Sequence, residues 1–311
     1  MTFRTNNLYR KTIQEIAEKI NMRGELLFDE PMAQYTTLRI GGSADVLAVP
    51  SSADEGEKLY AELIKSSVPV YILGDGSNLL VSDKGIRGLV LHTRNINSIT
   101  FNGTALTAEG GAPVSRCAEL AADRNLGGFE FIYGMPGTVA GAVYMNARCY
   151  GSSISDIIRS VRFVNHRGQK NELKDFSEFR YKSTPFQRDG SFISTAEFSL
   201  HPADGTNLRN RMEQYKTDRE RKGHYRFASA GSVFKNNREF GEPTGKIIDN
   251  LDLRGLSIGG AQVSDIHGNV IINNGTAGAL DVKNLIEHIE KIVKEKTGFT
   301  LEREIIFAGE W

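Results

Sequence analysis

Cysteine is scarce in this chain. Of 311 residues only Cys117 and Cys149 are cysteine, and neither stands in a CxxC pair. That spacing gives no support to structural zinc or thioredoxin-like chemistry, so no metal site is expected. An excess of charge of one sign is also missing: Lys+Arg and Asp+Glu each number 38, for a formal net charge of 0. No global basic field exists, and nucleic acid is not expected as a partner. No apolar run approaches the ~20 residues of a membrane span. Met1 to Lys11 is polar and lacks the apolar stretch of a signal peptide. These absences predict a cytoplasmic, reduced protein without a membrane partner. No GxxxxGK[ST] run occurs, which excludes a P-loop ATPase.

What the chain does have is glycine in two unusual places. Gly74-Asp75-Gly76-Ser77-Asn78-Leu79-Leu80-Val81 and Gly134-Met135-Pro136-Gly137-Thr138-Val139-Ala140-Gly141-Ala142 are more than simple turns. Glycine lets the main chain approach a ligand closely, and successive N–H groups in such loops form concavities that hold anions. Two such loops suggest a ligand with an extended polyanionic middle, such as a dinucleotide. The first is not a Rossmann fingerprint. Its third glycine position holds Leu79, and Leu79-Leu80-Val81 reads as strand where a helix is required.

Hydrophobic residues at 40% and charged residues at 24% are ordinary for a globular protein, and the length favours two or three lobes. Helical spacing predicts an amphipathic helix over Tyr9–Met22 and helices from Ser52-Ala53-Asp54 to Lys65 and from Pro113 to Asn125. Residues 36–42 and 44–50 read as strand, turn, strand, and Val68–Leu73 as a buried strand entering the first glycine loop. Gly88–Leu91, Ile158–Val164 and Phe192–Leu200 read as strands, and Asn102-Gly103 as the turn of a hairpin. A charged helix is expected over Asn207–Lys222. Val263–Asn273 alternates like one strand, Asp281 reads as the cap of an amphipathic helix ending at Thr297-Gly298, and Leu301–Phe307 reads as a last strand. A domain boundary is placed near 205–223.

Seven segments carry a resemblance. They are Thr37–Gly42, Gly74–Val81, Gly134-x-Pro136-Gly137-Thr138, Tyr144–Ala147, Gly231-Ser232-Val233-Phe234-Lys235-Asn236, His267-Gly268-Asn269 with Asn273, and Leu301-Glu302-Arg303-Glu304. In order, from about Leu27 to Gly309, the chain resembles the UDP-N-acetylenolpyruvoylglucosamine reductases, in their shorter variant. The resemblance implies an α+β fold: a two-lobed vanillyl-alcohol-oxidase-like FAD-binding domain over residues 1–215, with lobes of about 1–95 and 96–215. A substrate-binding domain over 216–300 would follow, and then a strand over 301–311 returning to the FAD domain. It also implies non-covalent FAD, NADPH as reductant, a UDP-sugar substrate and a monomer serving peptidoglycan synthesis. Gly74, Gly76, Ser77, Asn78, Leu79, Gly134, Pro136, Gly137, Thr138 and Gly141 would line the cofactor, with Arg39, Ile40, Gly41 and Asn146 near the flavin ring.

In that family NADPH reduces the flavin, which then gives hydride to an enolpyruvyl ether. The acceptor needs charge-complementary groups at its carboxylate and a proton donor for the adjacent carbon. Ser232 matches the family's proton donor, with Lys235 or a water chain as candidate helper. Glu304 matches its glutamate. Strand alternation puts Glu302 on the same face, but the spacing to Ile305-Ile306-Phe307 favours Glu304. Lys182 stands where the family places arginine; it keeps the charge and loses the planar fork, and Arg180 is a nearby substitute. Asp252 and Arg148 replace smaller family residues. Arg219, Tyr225, Lys235, Asn250 and His267 are candidates for the nucleotide. Two other readings remain open: an FAD-dependent alcohol or sugar oxidase on the same scaffold, and an inactive flavin-binding homologue.

Overall fold

The computed structural model of the protein describes residues 2–311. The chain divides into two compact units that do not follow one sequence boundary. One takes residues up to Asp29, Asp45–Asp75 and Arg87–Thr217; the other takes Glu30–Ala44, Gly76–Ile86 and Asp218–Trp311. The main division falls at Thr217/Asp218. The two short early segments that join the C-terminal unit were not anticipated.

The first unit is built on two sheets. Most of a four-stranded sheet runs in the order Glu25–Pro31, Ser43–Val49, Ile86–His92, Val70–Leu73, the last two strands parallel. Val46, Ala48, Leu89 and Leu91 pack with Leu59 and Leu63 of the helix Ala53–Leu63. Ser52 caps that helix by accepting the Glu55 N–H. A five-stranded antiparallel sheet orders Lys170–Leu173, Ile158–Val164, Phe192–Ser199, Ala105–Glu109 and Ile99–Asn102. Its core gathers Leu106, Ala108 and Phe198 with Val114, Cys117, Ala118 and Ala121 from one face of the helix Val114–Ala122. Cys117 is therefore a packing residue, its thiol pushed up to about 12 by burial.

The second unit has an antiparallel sheet ordered Ala228–Ser232, Val270–Asn273, Ala261–Val263, Ser257–Ile258, with the helices Thr244–Asn250 and Ala279–Thr297. The stripe Val282, Leu285, Ile286, Ile289 and Val293 is fully buried against this sheet's core, which also takes Leu38, Ile40 and Leu80 from the early segments. Asp83 caps the long helix from far away in sequence, accepting the Ala279 N–H at 2.9 Å and the Leu280 N–H at 3.4 Å. Asp281, expected as the cap, sits inside the first turn and accepts the Gly278 and Gly260 N–H groups instead.

Several sequence expectations need correction. The first helix runs Thr2–Lys19, earlier than Tyr9–Met22. Residues 36–42 form a loop, not a strand: Arg39 has φ +57° and Gly41 φ +140°, and the Thr36 hydroxyl bonds the Ile40 carbonyl at 3.0 Å. Val263–Asn273 is broken by a turn into two paired strands, Ala261–Val263 and Val270–Asn273. The last strand is Ile306–Ala308, parallel to Leu79–Val81, while Arg303 makes only an isolated bridge to Phe234.

Candidate active site

In the first unit Gly74-Asp75, the start of the first glycine stretch, lies against the second glycine loop. A Cβ at Gly74 would sit 2.6 Å from the Thr138 hydroxyl oxygen, so only glycine permits this approach. The Asp75 carboxylate accepts the Gly137 N–H, while crowding by the surrounding loops pushes its pKa up even though the residue keeps an exposed surface. Thr138 is buried and its hydroxyl accepts the Gly141 N–H at 3.3 Å. Gly134 has φ +77° and donates to the Ser115 hydroxyl at 3.0 Å, and Gly137 has φ +143°. Behind the loops His92 is buried and hydrogen-bonded to the Gly74 backbone. Desolvation, with the Arg94 charge, lowers its pKa to about 4, so it is neutral near pH 7.

Three of the loop amides, those of Gly134, Gly137 and Gly141, are bonded inside the protein. What remains for a diphosphate is glycine-lined main chain elsewhere in the two stretches, with no lysine or arginine within either. The same unit carries Asn146 and Lys182. The Asn146 amide donates to the Arg180 carbonyl and accepts the Ser155 N–H, both at 3.0 Å. Arg180 and Ser183 close a tight turn by reciprocal backbone bonds, with Lys182 at φ +54° in its second central position. Gln187 braces that turn, donating to the Lys182 carbonyl at 3.1 Å and the Tyr144 carbonyl at 2.9 Å. The Arg180 guanidinium turns back onto the Ser177 and Phe179 carbonyls of its own loop. Its candidacy as a substitute for Lys182 has no geometric support.

In the second unit Ser232 ends the strand Ala228–Ser232 just after a register shift, with Gly231 at φ +71°. Bulges of this kind re-aim side chains and recur beside active sites. Asn269 grips the following residues from one side: its amide oxygen accepts the Phe234 N–H at 2.9 Å and its Nδ2 donates to the Phe234 carbonyl at 2.8 Å. From the other side the Glu304 N–H donates to the Val233 carbonyl at 2.8 Å. Ser232 and Glu304 are thereby carried on directly bonded stretches of main chain. Glu302, the alternative carboxylate, is exposed and ion-paired to Lys235 at 2.5 Å.

The other candidates in this unit scatter. Arg219 and His267 both flank His224: the two imidazole rings are 5.8 Å apart, and desolvation with the His267 and Arg219 charges lowers the His224 pKa to about 4. Tyr225 is exposed in the adjoining turn, and Asn250 donates to Glu242 at 2.9 Å. Gly76 has φ +59° and abuts the Tyr35 carbonyl. Asn78 donates to the Glu304 carbonyl at 3.0 Å, and Leu79 belongs to the strand paired with Ile306–Ala308. Thr37 donates to the Ser229 carbonyl at 2.7 Å and Asn273 to the Leu38 carbonyl at 3.1 Å, which fixes the Arg39–Gly41 loop on the second unit's sheet. Exposed Arg39 and buried Ile40 lie on that loop. Asp252 has φ +55°, a conformation that glycine adopts most readily. Gln187, His92 and Asp83 were missed from sequence, since single polar residues outside a motif announce nothing.

Comparison with known proteins bears on this arrangement directly. Residues 223–308 match the model of the UDP-N-acetylenolpyruvoylglucosamine reductase C-terminal domain, and residues 44–173 match an FAD binding domain. A UDP-N-acetylenolpyruvoylglucosamine reductase of Borrelia garinii subsp. bavariensis is 39% identical over 302 residues, covering 96% of this chain and 97% of the relative. The chain belongs to the UDP-N-acetylenolpyruvoylglucosamine reductase family. A member from Caldanaerobacter subterraneus subsp. tengcongensis is 42% identical, over 94% of this chain and 97% of its own. The crystal structure of the reductase from Thermus caldophilus superposes with a TM-score of 0.75 at 30% identity, covering 92% of this chain and 99% of that one. The α+β fold, an FAD-binding domain followed by the reductase C-terminal domain, is the one the resemblance implied. As a family member with an FAD-binding domain, the chain is a flavoprotein oxidoreductase.

Proposed function

We propose that the protein reduces UDP-N-acetylenolpyruvoylglucosamine to UDP-N-acetylmuramate, using FAD and NADPH. The observation that carries this reading is the second unit's pairing of the Ser232 and Glu304 segments through the Val233 carbonyl, in a chain that matches 97% of the length of the Borrelia relative. Gly74, Thr138 and those loop amides not bonded inside the protein would hold the FAD diphosphate. When bound, FAD supplies hydride transfer from NADPH to the enolpyruvyl carbon.

The remaining work falls to side chains. Ser232 delivers the proton to the carbon beside the carboxylate. A serine hydroxyl is a weak acid, so its geometry must be fixed, and the bulge at Gly231 together with the Asn269 grip on Phe234 supports that. Glu304 is assigned to the substrate carboxylate, where negative charge builds, and Lys182 supplies the compensating cation. The turn around Lys182, braced by Gln187 and Asn146, limits the entropy lost in holding a lysine for this task. Tyr225, Lys235, Arg219, Asn250 and His267 are assigned to the nucleotide part of the substrate. Among the described residues no helix is long and apolar enough to cross a membrane, and we assign the activity to the cytoplasm.

The test is the absorption spectrum of the purified protein followed by anaerobic NADPH titration, with and without the enolpyruvyl nucleotide. Flavin bleached by NADPH and recoloured by that nucleotide supports the reading. Rapid recolouring by oxygen alone, with the nucleotide inert, refutes it in favour of an oxidase. Bound FAD without turnover refutes it in favour of an inactive homologue.

A further inference from the structure

Glu304 lies in a gap between two stretches of paired backbone. On its N-terminal side Arg303 bridges Phe234, and on its C-terminal side the ladder with Leu79–Val81 begins only at Ile306. Its N–H reaches the Val233 carbonyl, but its own carbonyl falls outside the ladder. The Asn78 side chain fills that place, its Nδ2 donating to the Glu304 carbonyl at 3.0 Å, while the Asn78 carbonyl accepts the Ile306 N–H at 3.1 Å. Asn78 therefore brackets Ile305 at two points, one through its side chain and one through its main chain.

We propose that Asn78 is a positioning residue for Glu304, holding that carboxyl in register with Ser232 for proton delivery to the substrate. This rests on the function proposed above. The motif reading places Asn78 among cofactor contacts, whereas the geometry gives its amide to the main chain of the proton-delivery segment. The loop that carries it has little freedom. Gly76 has φ +59°, and a Cβ there would stand 2.1 Å from the Tyr35 carbonyl oxygen, so backbone on one side and the strand pairing on the other fix where Asn78 points. Alanine at position 78 leaves the Glu304 carbonyl without this donor. Aspartate replaces the donor with an acceptor of the same size and sets oxygen against oxygen.

The test uses the holoenzyme with Asn78→Ala and Asn78→Asp, following the two half-reactions separately by stopped-flow absorbance. Reoxidation of the reduced protein by UDP-N-acetylenolpyruvoylglucosamine should slow about 10- to 100-fold more than reduction by NADPH, as expected for a misplaced reacting group. The solvent deuterium isotope effect on reoxidation should rise. Glu304→Ala/Asn78→Ala should reoxidise no more slowly than Glu304→Ala alone, because Asn78 acts through Glu304. In the protein stripped of flavin, amides of residues 304–306 should exchange with solvent faster in Asn78→Ala. Equal slowing of both half-reactions, additive effects in the double variant, or unchanged exchange would each overturn the proposal. Asn78→Ala serves should the added aspartate charge prevent folding, and the exchange measurement serves should either variant lose its flavin. A wild-type protein reduced by NADPH but never reoxidised by the nucleotide overturns the proposed function itself, and this proposal with it.

Discussion

Replacing Gly74 by alanine sets a methyl group 2.6 Å from the Thr138 Oγ1 and 3.3 Å from its Cγ2, where ordinary contact begins near 3.4 Å. The backbone at Gly74 is not in the left-handed region, so the collision is the whole cost. Thr138 is 2% exposed and its hydroxyl is held by the Gly141 N–H, which leaves it little room to turn away. Overpacking of this kind costs about 1–3 kcal/mol. Thr138→Ala alone costs about 1 kcal/mol through the lost capping acceptor. In the double variant the nearest remaining atom is the residue 138 Cβ at 3.5 Å, an ordinary contact. The two losses should therefore fail to add, with a favourable coupling of about 1–2 kcal/mol. Thr138→Ser keeps the offending oxygen and should give no relief. Urea unfolding of the flavin-free protein measures all of these, and FAD titration should follow the same ranking. Additive energies, or rescue by serine equal to rescue by alanine, would show that the two loops do not meet as described.

Three further outcomes follow from other contacts. His92 binds its proton in the unfolded chain at its ordinary 6.5 but in the folded protein only at about 4. Its contribution is therefore complete above pH 6.5 and lost as pH falls through about 4, about 3 kcal/mol in all. His92→Gln should flatten the stability profile between those values in urea titrations at stepped pH. Asp83→Ala removes the acceptor for the Ala279 and Leu280 N–H groups and should cost about 1 kcal/mol, read as a fall in Tm with the flavin spectrum retained. Lys182→Ala should lower kcat/KM for the enolpyruvyl nucleotide about 100-fold or more. Lys182→Arg should stay within about threefold of wild type, and a large gain would show that lysine compromises the native site.

Motif chemistry was the most legible part of this sequence. Gly74–Val81 and Gly134–Gly141 announce themselves because glycine density and small residues are local properties, and Leu79–Val81 reads correctly as strand. The Val114, Cys117, Ala118, Ala121 stripe and the Leu285, Ile286, Ile289, Val293 positions reveal buried helix faces by period alone, while Ile292, read with the latter, is only partly buried. The misreadings share a cause. Residues 36–42 have the composition of a strand, but their loop is held by Thr37 reaching Ser229 and Asn273 reaching Leu38, contacts about 190 to 235 positions away. Asp281 reads as a helix cap and does accept the Gly278 N–H from inside the first turn, but Asp83 from a distant segment takes the Ala279 and Leu280 N–H groups, which no local pattern reveals. The choice between Glu302 and Glu304 could not be made from alternation; the structure adds that Glu302 is exposed and ion-paired to Lys235.

The membership of Leu38, Ile40 and Leu80 in the C-terminal core carries a practical consequence. A fragment cut at the obvious sequence boundary, residues 218–311, would lack three apolar side chains from its interior. It would also lack Asp83, which tethers the start of its longest helix, and the strand Leu79–Val81 that partners its last one. Such a fragment should not fold by itself, and the half left behind would carry orphaned greasy segments in solvent. Swapping this domain between relatives therefore means transplanting three stretches of chain together.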